Sequence, residues 1–438
     1  MGRLRQVIWD EADLEARLCR ALDVTKKTLA YFAVDGFEDA EVPENNFRPE
    51  KPVAECAMLI YAASLAMHLP NVANRIDEIA HLLVPYARSQ QTLLNIALHP
   101  SLCIDYAVPH ILLSKLGYYD LAFDSVLKSS MSSQSCHGHE RPPFAALEQR
   151  WITSLWMDAS PGRDWRPDLL NSVLYHPLDI LGGLRQDFYA FTHLIMYCTD
   201  FGFRPSLFPR PRSLILDDAQ SLLAKCLDEE DYDLAAEVLL SWPLSGARWS
   251  ATASFGFRVL ARVEDQVGVL PAGITKAARL NKLRGEERTR YALGTGYHTA
   301  LVMGLICSVS LRPGRAPSVR VTGPQVEKSF LDFLLNYLEQ DQGHWQPIFS
   351  ELTNSERRAL VSLLLDIVII QKCRKHDYKA VIDVLSTSSR YGLANSPICA
   401  QAAQLLERLS ACSYAVSSNK KMDNCQCPVP GLLNTKTG

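Results

Sequence analysis

Apolar residues recur along this chain at three- and four-residue spacing, and the pattern predicts helix almost everywhere. Val53–Leu69 carries Ala54, Ala57, Met58, Tyr61, Leu65 and Met67 on one stripe. Leu29–Ala33, Val72–Ala87, Gln91–Leu98 and Ala107–Leu116 continue it. Alternating strands are scarce, with only Pro317–Thr322 reading as a short extended piece, expected in a loop. The fold class predicted is all-α, an irregular assembly of α/α helical hairpins, toroid- or solenoid-like.

One local pattern supports hairpins. A polar turn followed by Tyr-Asp-Leu-Ala occurs at Tyr119–Ala122 and Tyr232–Ala235, with a looser copy at Tyr378-Lys379-Ala380-Val381. A small residue one turn into the second helix allows close approach of two antiparallel helices, and the aromatic is expected to pack across the turn. The copies stand 113 and 146 residues apart, far from the period of roughly 20–50 that marks a regular array. Polar loops are expected at Asp35–Lys51, Ser129–Pro143 and Phe203–Arg212. Residues 1–416 read as a single all-α domain, and Ser417–Gly438 as a disordered C-terminal tail with little to bury.

Composition narrows the class of function. The 438 residues are 47% hydrophobic and 21% charged, enough for a large core, with a formal net charge of −3. No basic run suggests nucleic acid or an anionic membrane surface, and Ala300–Leu311 and Ala359–Ile370 are too short to span a bilayer. Acidic residues arrive at Asp10 and Glu11 before any apolar signal core develops. Most of the twelve cysteines, among them Cys56, Cys103, Cys226, Cys307, Cys373 and Cys399, sit inside apolar helical patterns as small hydrophobes of a reducing compartment. The expectation is a cytoplasmic protein with no nucleic-acid or membrane partner, with a small-molecule substrate, and with room for a homodimer.

Two histidines carry the chemistry. Phe191-Thr192-His193-Leu194-Ile195-Met196-Tyr197 and Tyr297-His298-Thr299-Ala300-Leu301-Val302 each set an imidazole in an apolar helical run. Burying one without partners costs roughly 1–3 kcal/mol, so something is expected to hydrogen-bond or ligate it. On a continuous helix Tyr189, His193, Tyr197 and Asp200 fall at i, i+4, i+8 and i+11 and share a face. His193, Asp200 and His298 are therefore the candidate catalytic residues: proton carrier, orienter and partner. Tyr189, Tyr197 and Tyr297 are the candidate substrate-facing donors. The set needs no cofactor. Its alternative is one divalent metal at His193, Asp200 and His298.

Other motifs are weaker. Cys136-His137-Gly138-His139 lacks a second ligand pair; its Cys-His-Gly resembles part of the zinc site of lanthionine-synthetase cyclases, whose other cysteine motif is absent. Asp217-Asp218 reads as a helix cap and first-turn pair. No phosphate loop, dinucleotide fingerprint or nucleophile elbow is present.

Phe191-Thr192-His193…Tyr197…Thr199-Asp200-Phe201-Gly202, Ser241-Trp242-Pro243-Leu244 and Tyr297-His298-Thr299-Ala300…Val302-Met303-Gly304-Leu305 together resemble an uncharacterised all-helical family of actinobacterial and fungal proteins, often encoded beside natural-product genes. The likeness covers Trp151 to Leu311 and implies a biosynthetic role. With it, the sequence points to an enzyme of specialised metabolism, of cyclase, isomerase or lyase type, acting by acid–base catalysis in an apolar cavity between helices. A helical-hairpin scaffold for protein interactions is the alternative; there the two histidines would lie in separate layers.

Overall fold

The computed structural model describes residues 8–158, 169–205, 208–339 and 343–423, with only backbone beyond residue 412. Its helices in chain order are α1 (Glu11–Phe32), α2 (Glu50–Ala63), α3 (Pro70–Ala87), α4 (Gln90–Leu98), α5 (Cys103–Lys115), α6 (Leu121–Met131) and α7 (Pro143–Trp156). Then come α8 (Arg185–Cys198), α9 (Arg212–Asp228), α10 (Tyr232–Leu239), α11 (Ser241–Ser245), α12 (Ala251–Val267), α13 (Ala277–Lys282) and α14 (Gly285–Ser310). The last are α15 (Lys328–Tyr337), α16 (Trp345–Ser350), α17 (Asn354–Ala359), α18 (Val361–Arg374), α19 (Tyr378–Arg390) and α20 (Pro397–Asp423). No strand forms among the described residues; Ile8–Ser318 and Phe37–Phe47 are isolated bridges, so the 317–322 segment is a loop.

The predicted hairpins form, and their turns share one device. Gly117, Glu230 and His376 each take a left-handed conformation, with φ of 96°, 55° and 57°. The next N–H returns to the carbonyl five residues back: Tyr118 to Leu113, Asp231 to Cys226, Asp377 to Lys372. This closes the helix with its orphan carbonyls satisfied. An aspartate then caps the following helix: Asp120, Asp231 and Asp377 accept from backbone N–H groups of its first turn. The aromatics behave unequally, for Tyr232 is buried whereas Tyr119 lies exposed and Tyr118 packs in its place.

Long α14 organises the rest. Gly304 lets it approach α1, since a Cβ there would stand 2.6 Å from the Ala21 Cβ. By length and composition α14 could cross a membrane, yet 83% of that stretch is buried inside the protein. Around it, α2 packs on α5, α5 on α7, α7 on α8, α8 on α10, α10 on α14, and α14 back on α2. These six helices close a ring. α1 and α3 pack outside α2, α4 and α6 outside α5, and α9 and α12 outside α10. The C-terminal helices join through α18 against α9, and one contiguous core runs from Leu14 to Ala402.

Three local expectations change. Helix α9 begins at Arg212, so Asp217 and Asp218 lie inside it; Asp218 is buried against the Arg210 guanidinium and the Leu178 N–H. The supposed acidic loop is anchored: Asp39 is buried, held by Arg279, and interactions with Arg279 and nearby backbone N–H groups outweigh its burial to bring its pKa down to about 2. Helix α20 continues through Ser417 to Asp423, and the remainder of the expected tail lies outside the described residues.

Candidate functional site

An open cavity of about 280 Å³ lies between the ring helices, lined by α2, α7, α8, α10 and α14. Met58, Leu59, Phe144, Met196, Leu301 and Val302 form apolar wall. Glu55, Glu148, His193, Glu237 and His298 are its polar groups, with Lys51 and Tyr197 beside them. Each comes from a different turn of the ring, so closure alone brings them together.

Glu237 is the centre. Its side chain is 1% exposed, deep in the Ala235-Ala236-Glu237-Val238-Leu239 run of α10. His193 Nε2 lies 3.6 Å from Oε2 and His298 Nε2 lies 3.4 Å from Oε1, so one carboxylate faces two imidazoles. The Thr192 hydroxyl also donates to Oε2. Burial pushes the Glu237 carboxyl up, but the two imidazoles outweigh it and hold it well below the usual carboxylate range.

His298 stands among acids. Nδ1 is 3.3 Å from Glu55 Oε2, and Nε2 is 3.8 Å from Asp233 Oδ1. Burial disfavours its charge, yet Glu55, Asp233 and Glu237 overcome this and raise its pKa well above the ordinary imidazole value. Glu55 is carried the other way: burial raises it, but His298 and Lys51 bring it down to about 2. His193 follows the same logic more mildly, with burial lowering it and Glu237 and Glu148 raising it to a net upward shift. Glu148 is pushed up by burial, against a Tyr197 hydroxyl that donates to it.

The two expected histidines and Tyr197 therefore converge on the cavity. The other three expected residues do not line it. Tyr189 is taken up by Asp233, donating to its Oδ2 at 2.7 Å, and Tyr297 is buried beside Glu55. Asp200 is a correction. Helix α8 stops at Cys198, and Asp200 and Phe201 adopt φ of 50° and 49°, which destroys the register that placed Asp200 on the His193 face. Its carboxylate instead accepts from the Tyr61 hydroxyl at 3.0 Å and the Trp151 indole at 2.7 Å, with Arg204 2.9 Å away. Orientation of His193 falls to Glu237.

Asp233 and Glu237 have a readable signal: two acids at i and i+4 on a helix whose neighbours are Leu, Ala and Val. Glu55 has the same one, an acid inside Val53-Ala54-Glu55-Cys56-Ala57-Met58. Asp233, Glu237 and His298 each bring a ligand atom within 4.8 Å of the others, and this group supplants His193, Asp200 and His298 as the metal-ligand candidate. Cys136 joins no such group; it is buried in its turn near Cys103.

Neither curated proteins nor solved structures match the chain. Residues 18–308, from within α1 almost to the end of α14, match a family described as "Domain of unknown function". The matched stretch spans all six ring helices and covers well over half of the sequence, and the chain accordingly belongs to the DUF6895 family.

Proposed function

We propose that the protein is an enzyme of specialised metabolism that moves protons on a small, mostly apolar substrate held in the ring cavity, in a cyclisation, isomerisation or elimination. The observation that carries this reading is the meeting of His193 and His298 on the two oxygens of one buried carboxylate at an apolar cavity. Such chemistry needs shape and one or two proton movers rather than an array of polar contacts. The volume lies near the lower end of ordinary ligand sites, roughly 300–1,000 Å³. His193 is the proton carrier, Glu237 holds its ring, and Glu148 with Tyr197 forms a second polar pair beside it. The bodies of Phe144, Met196 and Leu301 exclude water from the reacting carbon.

The test compares metabolites consumed from cell extracts by purified wild type, His193→Ala and His81→Ala. His81 is exposed and remote from the cavity. Wild type and His81→Ala should deplete the same compound, while His193→Ala slows by about 10²–10⁴ with its melting midpoint nearly unchanged. Identical profiles for wild type and a folded His193→Ala would remove the enzymatic reading and leave the scaffold.

A further inference from the structure

We infer that Asp233, Glu237 and His298 form a binding site for a divalent first-row cation, bound by oxygen and nitrogen, at the base of the ring cavity. The chemical use of the ion rests on the proposed function, whereas the site itself rests on geometry alone.

The donors come from two helices facing each other. Asp233 and Glu237 project from successive turns of α10, and His298 reaches them from α14. Their separations are long for direct pairing. An imidazole bonded to a carboxylate stands about 2.7–2.9 Å away. Here Nε2 is 3.4 Å from Glu237 and 3.8 Å from Asp233. Two ligands each about 2.0–2.2 Å from a shared ion are about 3–3.6 Å apart, so the Glu237 separation matches two ligands of a common cation and the Asp233 separation lies just beyond it.

Buried polar atoms point the same way. Tyr297 is 2% exposed and its hydroxyl lies against the Glu55 carboxylate. His298 Nδ1 and Glu55 Oε2, both buried, face each other at 3.3 Å. Nδ1–H directed at a carboxylate is the usual outer support of a histidine ligand, and it leaves the Nε2 lone pair for a metal. The remaining supports exist too. The Thr299 hydroxyl donates to Asp233 Oδ1 at 3.0 Å, Tyr189 to Oδ2, and Thr192 to the Glu237 oxygen turned away from His298.

Two carboxylates and one imidazole without a thiolate suit Zn²⁺, Mn²⁺ or Fe²⁺ better than Cu⁺, and the imidazole disfavours Ca²⁺ and Mg²⁺. Three protein ligands leave a position open toward the cavity, the pattern of catalytic rather than structural sites. An ion there would act as a Lewis acid on a substrate oxygen. His193, on the far oxygen of Glu237, stays outside the ligand set and remains free to carry a proton.

The experiment uses full-length protein purified without chelators, analysed for metals, then stripped with EDTA and titrated with Zn²⁺ and Mn²⁺ by calorimetry and thermal melting. About one ion per chain is expected, with a melting midpoint that rises with ion concentration. Glu237→Gln and His298→Ala should each bind more than about 100-fold more weakly, Tyr189→Phe roughly 10–100-fold more weakly, and the remote His81→Ala as wild type does. Should Glu237→Gln fail to fold, Asp233→Asn carries the same expectation. Stripped wild type that takes up neither ion, or binding that survives both Asp233→Asn and His298→Ala, overturns the site. Metal-free turnover that depends on His193 overturns the ion's part in the chemistry and leaves proton transfer standing. Binding of the ion with no turnover of any compound supports the cation site and removes the enzymatic reading.

Discussion

His110 and His298 are both imidazoles trapped between helices beside a carboxylate, and they differ in what surrounds them. His110 on α5 is fully buried; Arg88 donates to Nδ1 at 3.0 Å, Nε2 donates to Asp124 at 3.0 Å, and the ring stacks on Phe123 with centroids 4.1 Å apart. Each ring nitrogen has one partner. Burial dominates, its pKa is lowered, and the ring stays neutral. His298 instead faces three carboxylates at 3.3–3.8 Å with an open cavity in front. Even the local origin is shared, since Asp124 and Glu237 follow the two Tyr-Asp-Leu-Ala copies. A buried histidine with matched partners is architecture; one with surplus acceptors and empty space beside it is a site.

The widest expected separation between the two centres is in turnover. His193→Ala should lose about 10²–10⁴ in rate, while His110→Ala should keep its rate per folded molecule, both read on the compound that wild type consumes. A slow but folded His110→Ala would break the contrast. In stability the order reverses. His110→Ala deserts Arg88 and Asp124 and opens a void beside Phe123, a cost of about 2–4 kcal/mol, whereas His193, only partly buried at the cavity wall, costs less. Denaturant and thermal unfolding of both variants measure this.

Asp200 belongs with His110 on the architectural side. Asp200→Ala strands the Tyr61 hydroxyl and the Trp151 indole and should destabilise by about 2 kcal/mol with the rate per folded molecule kept. A selective loss of rate would return it to the catalytic set. The smallest effect is in pH. The His110 value is depressed on folding, with Arg88, Asp120 and Asp124 facing it. Its stabilising contribution is therefore complete above the unfolded imidazole value near 6.5 and declines as pH falls below it, by no more than about 1.4 kcal/mol per pH unit. Wild type should lose more stability than His110→Asn between pH 7 and pH 5; parallel curves would show that the ring is not held neutral.

How far the chain could be read in advance depended on how local each signal was. Helical periodicity and hairpin turns are local, and both formed, as did the convergence of His193 and His298, visible as polar residues in apolar helices. Asp200 misled because its place assumed an unbroken helix, and two left-handed residues after Cys198 turned the chain. Glu55 and Glu237 showed the same polar-in-apolar signature as the histidines but were eclipsed by them. No local pattern says that α2 and α14 are neighbours, so which acids face His298 is a property of ring closure.

That closure also sets an order in time. The Ser308 hydroxyl bonds the Ala62 carbonyl across 246 positions of chain, and Glu55, with Lys51 a turn away on its own helix, does not meet its buried partner until His298 has been synthesised. On the ribosome the early hairpins can dock as they emerge, since α2, α3 and α5 touch one another. The segment carrying Glu55 must nevertheless wait, its carboxylate in water, until α14 leaves the exit tunnel. A nascent chain arrested before α14 would hold folded hairpins and no site, and the function would arrive in a single late step.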